Sequence, residues 1–166
     1  MGLDITYHSK IEPIDPPEGI GDEIWEWADE KNAFQYFTLA GQEDRLDGVS
    51  EQWMVGNYSG SFRAGSYGGY NAWRAWLCKA TLNVEPREVW SNPNRFEGKP
   101  FIELIDFADN EGCIGPKTSA KLAEDFMNSR SQLENHDSTD EHDMTLYDEW
   151  AKAFGVAAGS GCVEFG

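Results

Sequence analysis

Residues 115–133, GPKTSAKLAEDFMNSRSQL, constrain the fold more than any other stretch of the chain. A proline in the first helical turn sacrifices no hydrogen bond, and its fixed φ suits a helix start. Leu122, Ala123, Phe126, Met127 and Leu133 then lie along one apolar stripe, which predicts a helix over 115–133. The run ENHDSTDEHD, 134–143, reads as a solvated turn. A second helix is expected over 143–158, with Tyr147, Trp150, Ala151, Phe154 and Ala158 on one face and Gly159 and Gly161 ending it.

Two amphipathic helices need an apolar surface to cover, and strand signals supply one. Leu3, Ile5 and Tyr7 alternate against Asp4, Thr6 and His8, which predicts a strand over 2–8. Residues 33–40 (AFQYFTLA), 52–64, 101–107 (FIELIDF) and the terminal CVEF also read as strands. A short acidic helix, DEIWEWADEKN, follows the loop marked by Pro13, Pro16 and Pro17, with Asp22 as its candidate cap. A helix is expected from Tyr70 or Asn71 to about Thr81. Residues 84–100 contain three prolines, Pro86, Pro93 and Pro100, and read as loop. The fold class expected is α+β, a single domain over 1–166 with a mostly antiparallel sheet packed against two or three helices.

The length of 166 residues suits one domain with a real core. Seven tryptophans and 40% hydrophobic residues exclude a disordered chain in spite of the net charge of -17. That charge repels nucleic-acid backbones, so no nucleic-acid partner is expected. No apolar run reaches membrane-spanning length, and the start MGLDIT reads as strand rather than as a lipidation signal. A cytoplasmic setting follows, with Cys78, Cys113 and Cys162 as reduced thiols, mostly in the core. A homo-oligomer is compatible with the sequence.

One segment breaks the acidic pattern. The 33 residues between Glu51 and Glu85 contain no Asp or Glu, where the average of 30 acids in 166 residues would place about six. The window holds Arg63, Arg74 and Lys79 together with Trp53, Tyr58, Phe62, Tyr67, Tyr70, Trp73 and Trp76. Arginine pairs with phosphate or carboxylate through a planar fork. Aromatic faces stack on rings, and glycines let backbone amides approach a ligand. The expectation is a pocket for a small anionic, nucleotide-like ligand. Arg63 and Arg74 would meet its charge, and Tyr67, Tyr70 and Trp53 would line the pocket. Ser66 and Asn71 would donate hydrogen bonds, and Glu103 or Asp106 would take ribose or base donors. The reading requires both arginines to reach one cleft. Trp73 and Trp76, at helical spacing, read as core.

Other chemistry is weaker. Glu103, Asp106, Asp109 and Glu111 could do acid–base work or hold a metal, but in a strand Glu103 and Asp106 point to opposite faces and do not pair locally. His136 and His142 sit among Asp137, Asp140 and Asp143 in a spacing that matches no metal motif. Cys113 precedes a helix start but lacks a histidine partner. No catalytic residue, metal site or cofactor is assigned. Three functional classes remain: a ligand trap, an enzyme cleaving the same ligand, and an acidic DNA mimic that blocks a host protein.

Four segments, GLDITYH, FRAGSYGGYNAWR, FIELIDFADNEGCIG followed by KLAEDF, and WAKAFGVAAGSGCVEF, together resemble an uncharacterised family of small phage and prophage proteins. The resemblance implies a phage setting and the cytoplasm of a host cell, and it assigns no catalytic residue. In general character the chain also resembles the small phage proteins that sequester nucleotide immune signals, which implies an anti-defence role. DNEGCIGPKTSAKLAEDF is similar to the D-G-x-x-G-P-x-T segment of peptidoglycan-binding domains, over fewer than 20 residues.

Overall fold

The computed structural model describes residues 2–166. Strand β1 (Gly2–Pro13) carries the predicted alternation as far as Tyr7: Leu3, Ile5 and Tyr7 are buried and Asp4 is exposed, but His8, expected to face outward, is buried against the Phe34 ring. It runs antiparallel to β3 (Gln52–Ser66) from Gly2 opposite Ser66 to Pro13 opposite Met54, with three register shifts. Gly60 sits at φ +156 under the Tyr7 ring, where a Cβ would come within 2.3 Å of the phenol oxygen. Only glycine fits both the backbone and that approach. Strand β2 (Ala33–Tyr36) pairs with β3, strand β5 (Cys162–Phe165) with β1, and strand β4 (Gly112–Ile114) with β5. The order is β2-β3-β1-β5-β4, and every pairing is antiparallel.

Helices α2 (Tyr67–Leu82), α6 (Pro116–Glu134) and α7 (Glu141–Ala157) build the core with the Leu3/Ile5/Tyr7 face. Trp150 on α7 is its centre. The rings of Phe62, Tyr70, Trp73, Phe154 and Phe165 all lie between 5.1 and 5.9 Å from it. Trp73 donates its indole N–H to the Asp143 carbonyl and Trp76 to the Thr139 hydroxyl. Both therefore fasten α2 to the chain around the start of α7, Trp73 within the core and Trp76 partly buried against it. Phe34, Tyr36, Leu46, Met54, Cys113 and Cys162 form a second, smaller cluster, and all three cysteines are buried.

Helix α6 starts at its proline, as the sequence implies, but its cap comes from elsewhere in the chain. The Asp47 carboxylate accepts from the Lys117 and Thr118 amides and from the Thr118 hydroxyl. Gly115 lets it in: a Cβ there would lie 2.7 Å from Asp47 Oδ2. Met127 departs from the expected stripe and is 74% exposed. Helix α1 (Ile24–Lys31) follows a 3-10 turn, Gly21–Glu23, and Asp22 makes no side-chain cap.

Two segments correct the sequence reading. FIELIDF is not a strand: Phe101 is left-handed at φ 63, and Ile102–Ile105 form a short helix, α5. The Asp125 carboxylate accepts the Phe101 amide. Arg45 and Gln42 donate to the carbonyls of Glu103 and Asp106, and Gln42 also accepts from the Ala108 amide. Three side chains, one from α6 and two from the 3-10 turn Glu43–Leu46 and its cap residue Gln42, thus meet backbone needs that a ladder would otherwise meet. Residues 84–100 are not plain loop either. Pro86 and Pro93 each open a short helix, α3 (Pro86–Ser91) and α4 (Pro93–Phe96). No helix of the described residues is long and apolar enough to cross a membrane.

Candidate functional site

Helix α2 begins at Tyr67, three residues earlier than the glycine pair suggests, because Ser66 caps it by accepting from the Gly69 amide at 3.0 Å. This start fixes the phase of the helix. Tyr70 and Trp73 turn into the core, and Asn71 and Arg74 turn toward the segment 105–109.

Arg74 is 4% exposed. Its guanidinium donates to the Phe107 carbonyl and to Asn71 Oδ1. It lies 5.0 Å from the centroid of the Tyr70 ring and 5.8 Å from that of Trp90 on α3. Asn71 in turn donates to Asp109 Oδ2 at 2.7 Å. The Trp90 indole N–H donates to the Ile105 carbonyl at 3.1 Å, which fixes the ring while it stays 49% exposed.

These residues border a cleft of about 580 Å³, lined by Asn71, Arg74, Arg87, Glu88, Trp90 and Asp109 among others. The volume is that of a site for a small organic ligand. Among the described residues no carboxylate comes within 4.0 Å of Arg74, although the chain has 30 acids. A buried guanidinium with no carboxylate in direct contact is costly, although Asp106 feels its charge and Asp109 is linked to it through Asn71. Aromatic faces offset part of that cost, at about 0.5–2 kcal/mol each. Arginine has five N–H donors, and Arg74 uses two of them on Phe107 and Asn71. An anion entering the cleft would complete both its charge and its hydrogen bonding.

The expected site residues divide. Asn71 and Arg74 line the cleft together. Tyr70 lies beneath it, fully buried, with its phenol pushed up to about 12 by burial. Ser66 is the helix cap, and Tyr67 packs partly buried against the core. Arg63 does not line the cleft. It sits opposite Asp4 in the ladder and pairs with that carboxylate at 3.2 Å, on the sheet face turned away from the Leu3/Ile5 core and hence from Arg74. Trp53 joins Trp25 and Trp27 near the other end of β3. Glu103 pairs with Lys121 at 2.6 Å, and Lys121 also meets Asp125 at 2.7 Å. The Asp106 carboxylate is 3.9 Å from Arg45; burial holds its pKa above the ordinary value, against the pull of Arg45 and Arg74.

Glu85, Arg87, Glu88, Trp90 and Asp109 are charged or aromatic lining residues outside the expected site. The signal for Arg87, Glu88 and Trp90 was present, since Pro86 begins a helical turn by the same rule that Pro116 follows. Among the described residues no group of three His, Cys, Asp or Glu side chains is placed to hold a metal ion. Comparisons with protein-family models, with curated proteins and with solved structures found no match.

Proposed function

We propose that the chain binds a small nucleotide-derived anion in the Arg74–Trp90 cleft and holds it unchanged. The observation that carries the reading is Arg74, buried beside the cleft with no carboxylate partner among the described residues. Its guanidinium suits a phosphate, which can take two parallel hydrogen bonds from it. The half-exposed Trp90 ring suits a base, and Asp109 and Glu88 suit ribose hydroxyls or a base amine. Cyclic dinucleotides and ADP-ribose derivatives combine these features.

The proposed role is sequestration of such an immune signal by a phage protein in the cytoplasm of its host. The phage setting rests on the sequence resemblance. Retention is favoured over cleavage because Glu103 and Asp106 are turned to Lys121 and Arg45, and Asp109, the one acid–base candidate that lines the cleft, is held by Asn71. A trap works by mass action, so it requires tight binding and abundant protein.

The test is recovery. The purified chain is incubated with a cyclic dinucleotide or with cyclic ADP-ribose, freed of unbound ligand and denatured, and the released small molecules are identified by mass spectrometry. Intact ligand at near one equivalent supports the trap. Converted product supports the cleaving enzyme instead, and absence of bound nucleotide contradicts both.

A further inference from the structure

Helix α1 carries the most exposed tryptophan in the structure, and no part of the proposed cleft explains it. Trp25 is 61% exposed. Its ring packs edge-on to Trp53 at 5.5 Å, and Trp53 packs edge-on to the nearly buried Trp27 at 5.7 Å. The three indoles form a ledge whose inner end is anchored and whose outer end meets solvent. The indole N–H groups of Trp73, Trp76 and Trp90 all have internal acceptors. Those of Trp25, Trp27, Trp53 and the buried Trp150 have none among the described residues, so it is the exposure of Trp25 that sets the ledge apart.

The rim of this ledge is acidic. Asp22 and Asp29 lie three residues before and four residues after Trp25, on the same side of the helical turn. Both are exposed, as are Glu23 and Glu26, and among the described residues none of the four makes an ion pair within 4.0 Å. Rigid exposed tryptophans are typical anchors of protein interfaces, and an aromatic face attracts a cation laid over it. Unpaired carboxylates around that face add a field of the same preference and repel nucleic acid.

From this charge complementarity we infer that the Trp25–Trp53 ledge docks a basic protein segment, with an arginine or lysine laid on Trp25 and flanked by Asp22 and Asp29. The surface is independent of the Arg74 cleft and does not rest on the ligand reading. It gives a strongly acidic protein one defined place to engage a cationic protein surface, where an undirected net charge gives none.

The probe is a synthetic peptide of alternating arginine and leucine, with a glutamine–leucine peptide as its uncharged counterpart. Binding is followed by tryptophan fluorescence and calorimetry. Saturable one-to-one binding of the arginine peptide is expected, with at least a ten-fold loss in Trp25→Ala and in Asp22→Asn/Asp29→Asn. Glu124→Gln/Glu97→Gln removes the same charge from exposed positions outside the ledge and should change affinity less than two-fold. Thermal melts establish that each variant is folded, and Trp25→Phe, which keeps an aromatic face, should retain most of the binding. Equal losses in the two double variants would overturn the inference in favour of undirected charge attraction. Unchanged binding by Trp25→Ala, or no saturable binding, would overturn it as well.

Discussion

The guanidinium of Arg74 lies 5.8 Å from the centroid of the Trp90 ring, with its charge unmatched by any carboxylate within 4.0 Å among the described residues. One residue supplies charge to the cleft and the other an aromatic face. Their neighbours Asn71 and Asp109 continue the polar wall through a hydrogen bond of 2.7 Å.

The Trp90 ring should matter to ligand and little to fold. Stacking on an aromatic side chain contributes about 1–3 kcal/mol per base, so Trp90→Ala should weaken nucleotide binding by about ten-fold or more. Half of the residue is already in water, but it also faces Arg74 and donates to the Ile105 carbonyl, so the melting temperature should fall by only a few degrees while the protein stays folded. Calorimetric titration beside a thermal melt checks both parts.

Arg63→Ala should leave ligand affinity unchanged. Arg63 is an exposed partner of Asp4 on the far face of the sheet, and exposed pairs contribute at most about 1 kcal/mol. A ten-fold loss of affinity in this variant would place the anion elsewhere than beside Arg74.

Asp47→Ala should destabilise the protein by about 1–2 kcal/mol, because it removes the cap of α6. For a chain of this size that corresponds to a drop of roughly 2–8 °C in melting temperature. Asp47→Asn, which can still accept from the Thr118 amide, should recover part of the loss.

How stability varies with pH should reveal Asp125. Burial raises its carboxyl above the ordinary value of 3.8, although the Lys121 ammonium and the Phe101 amide pull it down. A raised folded value means that the folded protein keeps this proton to higher pH than the unfolded chain does. The stability so contributed is complete below the unfolded value and is lost as pH rises through the folded one. The melting temperature of Asp125→Asn minus that of the parent protein should therefore be more positive at neutral pH than near pH 3. A difference that moves the other way would mean that Lys121 outweighs burial.

The sequence discloses elements whose pattern has one reading. Helix α6 shows a proline at its start and a stripe behind it, and β1 shows strict alternation. Both are found where expected, although Met127 leaves the stripe, His8 turns inward and β1 runs on to Pro13. FIELIDF has no such pattern. Phe101, Ile102, Leu104 and Ile105 are all buried, and a short apolar run of this kind fits a strand or a helix equally. Asp125, Arg45 and Gln42 decide it, and no local pattern reveals partners so distant in sequence. The acid-free window pointed to Arg74 and Asn71 through composition. It could not separate them from Arg63, because Arg63 lies on the outward face of β3, whereas Arg74 lies on the helix that covers the inward face. Arg87 and Trp90 lie outside the window and are brought to the cleft by the Pro86 helix.

The central claim, that the unpaired Arg74 charge is there for an anion, is tested most directly by titrating a cyclic dinucleotide and cyclic ADP-ribose into the parent protein and into Arg74→Gln. Affinities are expressed per folded molecule, with the folded fraction taken from thermal melts. The account predicts one-to-one binding of at least one of these anions by the parent protein. It also predicts a loss of about 1.5–3 kcal/mol in Arg74→Gln, the scale of a charge-assisted hydrogen bond. Equal affinity in the two proteins, or no binding of either anion by the parent protein, would contradict it.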